Sequence, residues 1–255
     1  MAPQISDVRG LFQNLLAEDP GRPRVTWYGP DHERVELSAK TLLNWVSKTS
    51  NLLVEELEAG PGTTIGIDLP VHWRSVVWLL SVWTVGAHAV VPAEALVPDG
   101  VDRLDAVVTT HVAAPPQVVA GAVVAVALPA LATRYGGELL PGVIDAATEV
   151  RLQPDVLGPT ERPGPDSPAF SVTGGGGHAI TLPYGRLLDR PTGVPTAGAV
   201  RQLSGAGPEY AVQAYLEPLL TGGSVVLHHD LAGLDPEALQ HLIGQEGVTE
   251  VLALD

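Results

Sequence analysis

A run of four glycines, Gly174, Gly175, Gly176 and Gly177, is the feature of the sequence most suggestive of chemistry. It follows a predicted strand at residues 169–173, where backbone N–H groups freed by glycine can turn inward and hold a phosphate. The same run is also typical of a hairpin tip, and the local sequence leaves both interpretations open.

Two standard phosphate motifs can be compared with this run. A Walker loop ends in Gly-Lys-Ser/Thr, whereas Gly177 is followed here by His178 and Ala179, so that motif is excluded. The pattern Gly-x-Gly-x-x-Ala loosely fits a dinucleotide-binding loop. However, residues 180–183, Ile-Thr-Leu-Pro, would make a poor first helical turn because they include β-branched residues and a proline.

Other catalytic arrangements have less support. No serine stands in a Gly-x-Ser-x-Gly elbow. His228, His229 and Asp230 carry metal-ligating groups, but adjacent histidines at a strand end point in opposite directions, which favours a role in a turn. The sequence therefore predicts neither a catalytic residue nor a metal site.

Composition excludes several function classes. The 255 residues carry 29 Asp and Glu against 14 Lys and Arg, a net charge of -15 without a basic patch, which argues against nucleic-acid binding. Lys40 and Lys48 are the only lysines, and the absence of cysteine removes disulfides and thiolate chemistry. The apolar run at residues 118–128 is too short to span a bilayer and no signal peptide is visible, so we expect a soluble cytoplasmic protein.

Hydrophobic periodicity and turn residues predict the elements that would position the glycine run. Helices are expected after the caps Ser6 or Asp7, Ser38 and Asp235 and at residues 75–85, 184–189 and 210–220. Strands are expected at residues 24–28, 34–37, 64–69, 89–91, 104–109, 123–126, 169–173, 179–182, 224–228 and 249–254.

Alternating short apolar strands and helices are typical of an α/β fold, with largely parallel sheets flanked by helices. We expect two packed subdomains. The first covers residues 1–168 and ends in a proline-rich, exposed connection at residues 153–168. The second covers residues 169–255, with parts of residues 1–60 packing against it.

Several segments, taken in order, resemble the N-terminal part of the adenylate-forming (AMP-binding) superfamily of acyl-CoA synthetases, luciferases and peptide-synthetase adenylation domains. Residues 60–67, GPGTTIGI, resemble that family's GV-GPGDRVAI strand entry, and residues 80–92, LSVWTVGAHAVVP, resemble its LKAGAAYVPL motif. Residues 215–227, YLEPLLTGGSVVL, resemble its PLLAGGTVVL segment, and residues 235–249 resemble the helix and strand that follow.

The resemblance gives the glycine run a role. The family's loop, Ser-Gly-Thr-Thr-Gly-x-Pro-Lys-Gly, holds ATP phosphates and corresponds here to residues 171–179, Ser-Val-Thr-Gly-Gly-Gly-Gly-His-Ala. This implies a degenerate nucleotide-binding loop made of Ser171, Thr173, Gly174, Gly175, Gly176, Gly177 and His178. Because a histidine is mostly neutral near pH 7, replacing the family's lysine with His178 should weaken triphosphate binding.

The family's adenine-binding segment, magnesium-binding pair, hinge and catalytic lysine have no counterpart in these residues. We therefore expect a truncated, catalytically inactive relative that keeps a weak site for ATP, AMP or an acyl ligand, or that has a regulatory role. One alternative is an enzyme that forms acyl adenylates with a partner chain, and another is a structural module that forms homo-oligomers. The composition, rich in Arg, Ala, Val and Gly, suggests an actinobacterial source.

Overall fold

The structure is a computed structural model that describes residues 7–91, 103–112, 120–173, 179–189 and 199–252. Its helices are α1 (Val8–Glu18), α2 (Ala39–Leu57), α3 (Trp73–Val85), α4 (Ala146–Leu152), α5 (Tyr184–Leu187), α6 (Glu217–Leu220) and α7 (Pro236–Glu246). Its strands are β1 (Pro23–Tyr28), β2 (Arg34–Ser38), β3 (Thr64–Asp68), β4 (His88–Val91), β5 (Leu104–Thr109), β6 (Ala120–Ala125), β7 (Ile144–Asp145), β8 (Pro168–Thr173), β9 (Ala179–Pro183), β10 (Arg201–Ser204), β11 (Ser224–His228) and β12 (Glu250–Val251).

The chain divides into two compact units. The first unit comprises Met1–Leu43, Pro70–Val76 and Leu188–Asp255, and the second comprises Asn44–Leu69 and Val77–Leu187. This division differs from the boundary predicted at residues 168/169. The reason is strand pairing across long sequence separations: β8 pairs with β4 and stays in the second unit, whereas β1 pairs with β11 in the first unit.

The first unit contains a five-stranded sheet in the order β12-β10-β11-β1-β2. Only the β1–β2 pair is antiparallel, as expected for two strands joined by a short turn. Leu203, Val226 and Leu242 form a buried cluster between this sheet and α7. Asp235 caps α7 by accepting a hydrogen bond from the Ala238 N–H at 2.8 Å, which confirms the predicted helix start.

An ionic network fastens the end of α7 to the same sheet. The Glu246 carboxylate is bound by Arg201, by the Tyr28 hydroxyl and by Arg34, whose Nη2 lies 3.0 Å from Oε1. Burial alone would raise the pKa of Glu246, but hydrogen bonds from these three side chains outweigh it and hold the pKa below its ordinary value.

The second unit contains a seven-stranded sheet in the order β7-β6-β5-β3-β4-β8-β9. All of its pairs are parallel except β8–β9. Helix α3 follows β3, and its Trp83 lies edge-on to Phe170 of β8 at 5.7 Å and donates a 3.0 Å hydrogen bond to the Ala169 carbonyl. Mostly parallel sheets flanked by helices confirm the predicted α/β class.

The proline-rich connection is more constrained than the sequence suggests. Val156 is exposed, as predicted for this segment. Asn51 of α2, however, donates to the carbonyls of Pro154 and Val156 at 3.0 Å and accepts from the Gly158 N–H at 3.1 Å. Because prolines remove backbone donors, the carbonyls of such a segment need side-chain partners, and α2 supplies them.

The helix expected at residues 210–220 is interrupted. The chain forms a 3₁₀ turn at Pro208–Tyr210, a π-helical turn at Val212–Leu216 and then α6. Pro218 has no N–H to donate to the carbonyl four residues earlier, so regular α-helical bonding fails there. Gln202 compensates by donating to the carbonyls of Gln213 at 3.0 Å and Ala214 at 3.4 Å.

Candidate functional site

The glycine run connects two antiparallel strands. Register pairs Thr173 at the end of β8 with Ala179 at the start of β9. Gly174, Gly175, Gly176, Gly177 and His178 lie outside the described residues. Because the chain continues as a strand and not as a helix, the strand-loop-helix geometry of a dinucleotide-binding loop is absent here, as the sequence of residues 180–183 predicted.

A polar side-chain network joins β4, β8 and β9. The Ser171 hydroxyl is 2.8 Å from Nε2 of His88 on β4 and 2.7 Å from the Thr181 hydroxyl on β9. Register explains the contacts, because Ser171 is directly opposite Thr181 and pairs with Val90, two residues from His88 on the same strand face. Ser171 is fully buried and is committed to its neighbours.

His88 contributes no positive charge to this region. Its side chain is buried, and burial lowers the pKa of His88 from 6.5 to about 4. The imidazole is therefore neutral at pH 7, and it holds Ser171 as a neutral hydrogen-bonding partner.

Thr173 is a sequence-predicted site residue whose hydroxyl is still available to bind a partner within the described structure. It lies at the last strand pair before the glycines, two residues beyond Ser171 on the same strand face. Its hydroxyl oxygen is buried and has no hydrogen-bond partner among the described residues. A buried unpaired hydroxyl is costly, so this atom is suited to a partner from the loop or from a ligand.

The carboxyl end of β8 shares its edge of the sheet with the carboxyl ends of the other parallel strands. At that edge the Thr109 hydroxyl at the end of β5 donates to the Asp68 carboxylate at the end of β3, at 2.5 Å. Ligands of open α/β sheets bind outside these carboxyl ends. No local sequence signal marks Asp68 and Thr109, and only strand register brings them to this edge. His88 is equally unmarked in the sequence and lies at the amino end of β4, opposite Thr64.

The two lysines of the chain have different surroundings in α2. The Lys48 ammonium lies 2.9 Å from the Asp155 carboxylate and also donates to the Gln153 carbonyl. Lys40 is exposed in the first turn of α2. Both lysines therefore lie in an early helix, as the sequence indicated.

The two adjacent histidines differ from expectation. The rings of His228 and His229 stack at 5.0 Å instead of pointing in opposite directions, because β11 ends at His228 and strand alternation stops there. Within residues 7–91, 103–112, 120–173, 179–189 and 199–252, no group of three or more His, Asp or Glu side chains is arranged to hold a metal ion. Over the same residues, no helix is both long and apolar enough to cross a membrane.

A relative from a mycobacterium matches nearly the whole chain by sequence. No protein-family model matches the chain. A protein from Mycobacterium tuberculosis (strain ATCC 25618 / H37Rv), described as a TIGR03089 family protein, is 37% identical over 249 residues. The aligned region covers 95% of this chain and 96% of that relative.

Solved structures match by fold. An acyl-CoA synthetase from Brucella canis has a TM-score of 0.76 at 19% identity, covering 98% of this chain and 48% of its own. Acetoacetyl-CoA synthetase from Streptomyces lividans has a TM-score of 0.70 at 19% identity, covering 87% and 38%. An artificially fused adenylation–PCP di-domain from Klebsiella oxytoca has a TM-score of 0.67 at 17% identity, covering 98% and 43%.

The chain thus spans less than half the length of each of these structures. Its fold is that of the N-terminal region of acyl-CoA synthetases and adenylation domains, which confirms the resemblance drawn from the sequence motifs.

Proposed function

The chain belongs to the TIGR03089 protein family, and from its fold and its glycine hairpin we propose that it binds a nucleotide phosphate of the ATP or AMP class. We further propose that these 255 residues do not form acyl adenylates by themselves. The observation that carries the proposal is that the glycine run follows the carboxyl end of β8, directly after Thr173, whose hydroxyl has no partner among the described residues.

Binding would rest on neutral donors. Backbone N–H groups of a glycine-rich turn can hold a phosphate without a charged side chain. The Thr173 hydroxyl would add one hydrogen bond, while Ser171, held by His88 and Thr181, would position β8 and not touch the ligand. His178 stands where the resembled family has lysine, so the affinity for triphosphate should be modest.

Catalysis would need fixed positive charge near the glycine run, and in this proposal neither lysine supplies it. Stabilising the charge that develops during phosphoryl or adenylyl transfer requires preorganised cations or metal ions. Lys48 is tied to Asp155, and Lys40 begins α2. The acyl-CoA synthetase fold therefore supports ligand binding here more strongly than it supports turnover.

Thr173→Val tests the binding proposal directly. The variant keeps the shape of the side chain and removes an unpaired buried hydroxyl, so the ligand-free protein should be as stable as the wild type or more stable. AMP affinity, measured by isothermal titration calorimetry, should fall roughly 10- to 150-fold, since hydrogen bonds to charged groups contribute about 1.5–3 kcal/mol. Thr133→Val, which changes an exposed threonine, is the matched control and should leave AMP binding unchanged.

Thermal melts give a second measurement of binding. AMP at 100 times its dissociation constant should stabilise the folded chain by about 2.7 kcal/mol. His178→Lys should raise ATP affinity, because it restores a fixed cation to the loop. Absence of any stabilisation by AMP, ATP or an acyl-sulfamoyl adenosine would refute the binding proposal.

ATP–pyrophosphate exchange tests separately the proposal that the chain does not form acyl adenylates by itself. The purified chain should show no exchange with any carboxylic acid. Robust exchange would refute this proposal and leave the binding proposal standing. Exchange that appears only after a second, co-purifying polypeptide is added would support the alternative in which a partner chain completes the enzyme.

A further inference from the structure

The second unit contains a cleft that lies away from the carboxyl end of β8, where the glycine run begins. Its volume is about 300 Å³, and it opens beside the carboxyl ends of β5 and β6, between Thr110 and the loop at residues 126–137. In the sheet, β3 and β4 separate β5 from β8. Three strand spacings amount to roughly 14 Å, so this cleft is distinct from the candidate nucleotide site.

One wall of the cleft is the ring of Tyr135, a residue that is hydrogen-bonded through both its side chain and its backbone. The Tyr135 hydroxyl donates to the Thr110 carbonyl at 2.7 Å, and the Tyr135 N–H donates to the Asp145 carboxylate at 2.9 Å. Gly137 packs against the ring so closely that a Cβ at this position would lie 2.9 Å from Cε1. The loop is irregular, yet these contacts fix its ring in one place.

The floor of the cleft is apolar. Val126 and Ala127, which follow β6, line it and are buried. The nearby carboxylate of Asp145 is already satisfied, because it accepts from the N–H groups of Tyr135 and Ala147 and from the Thr148 hydroxyl. It therefore has little remaining capacity to bind a cation in the cleft.

The rim carries an uncompensated cation. Arg134 lines the cleft, is exposed, and forms neither an ion pair nor a side-chain hydrogen bond with the described part of the chain. Acidic residues outnumber basic ones 29 to 14. The planar fork of a guanidinium that has no carboxylate partner is suited to a bidentate anion.

We propose that this cleft binds a small organic monoanion, a carboxylate carried on a flat apolar body. Arg134 pairs with the carboxylate, Tyr135 stacks against the body, and Val126 and Ala127 cover its apolar surface. The volume lies at the small end of the range for ligand pockets, which limits the ligand to about the size of one ring with a short substituent. This inference is independent of nucleotide binding at the hairpin.

Three probes differing in charge and shape test the inference on the full chain. Benzoate, benzamide and inorganic phosphate are titrated while backbone amide chemical shifts are followed by NMR. Benzoate should give saturable shifts at Gly136 and Gly137, benzamide should bind at least tenfold more weakly, and inorganic phosphate should not shift these amides. Equal binding of benzoate and benzamide, or binding of phosphate at these amides, would overturn the proposal.

Matched variants locate the site. Arg134→Gln should weaken benzoate binding at least tenfold, and Gly137→Ala should weaken it by moving the Tyr135 ring. Arg151→Gln, at an exposed arginine in the last turn of α4, should leave it unchanged. Equal effects of Arg134→Gln and Arg151→Gln, or no effect of either, would show that a specific guanidinium contact is absent and would refute the inference.

Discussion

Removing the Ser171 hydroxyl perturbs the base of the glycine hairpin at one atom. Ser171→Ala deletes the hydrogen bonds to His88 at 2.8 Å and to Thr181 at 2.7 Å. Thr181 is exposed, so water can replace its lost partner and the cost there should be below about 1 kcal/mol. His88 is buried, and leaving its Nε2 unpaired should cost about 1–3 kcal/mol.

The expected total is about 1–4 kcal/mol of unfolding free energy. For a chain of this size, this corresponds to a fall in melting temperature of roughly 2–16 °C. Urea unfolding, monitored through amide hydrogen exchange of residues in β4, β8 and β9, would measure the loss of stability in the second unit itself. Thr181→Val should cost less than Ser171→Ala, because its position is open to solvent.

Ser167→Ala is the matched control, since the Ser167 hydroxyl has no hydrogen-bond partner within the described segments. It should change stability by less than about 0.5 kcal/mol. If Ser171→Ala were equally mild, the inferred coupling of β4, β8 and β9 through Ser171 would be incorrect.

Three further predictions concern polar groups whose partners the structure defines. Burial lowers the pKa of His88 to about 4. Between pH 6.5 and pH 4, the unfolded chain therefore binds a proton at this histidine that the folded chain does not bind. Stability should therefore fall by up to about 3 kcal/mol as pH drops from 6.5 towards 4, and urea midpoints should show a smaller fall in His88→Gln. Asn51→Ala should accelerate amide exchange at Gly158 markedly, because it removes the acceptor of that N–H. An unchanged rate would show that the hydrogen bond from Gly158 to Asn51 does not hold this segment. Glu246→Gln should destabilise the first unit by about 2 kcal/mol in thermal melts, because it leaves the guanidinium of Arg201 without its carboxylate; a neutral result would show that solvent already screens the pair.

Local chemistry accounts for the elements that the sequence predicted correctly. Asp7 caps α1, and Asp235 with Pro236 begins α7, because caps act on N–H groups only two or three residues away. In contrast, β10 and α4 were not predicted. Strand β10 has the sequence Arg-Gln-Leu-Ser, and its buried Gln202 is tolerated only because the π-helical turn offers free carbonyls. That compensation is tertiary and has no local signature.

The candidate site divides in the same way. The glycine run is visible in the sequence because glycine has a conformational effect at its own position. The environment of Ser171 is not visible, since His88 lies 83 residues away and reaches it only through the parallel pairing of β4 with β8. Resemblance to a family assigns Ser171 to a phosphate loop, whereas the structure gives its hydroxyl two protein partners.

Binding and transfer of a phosphate group make different demands on the residues around the hairpin. Binding needs oriented backbone donors on a firm base, and strands β4, β8 and β9 supply that base through Ser171. Transfer needs fixed positive charge where negative charge develops. Burial keeps His88 neutral at pH 7, and the Lys48 ammonium is engaged by Asp155. This distribution of charge supports the proposal that the chain holds a phosphate group without accelerating its transfer.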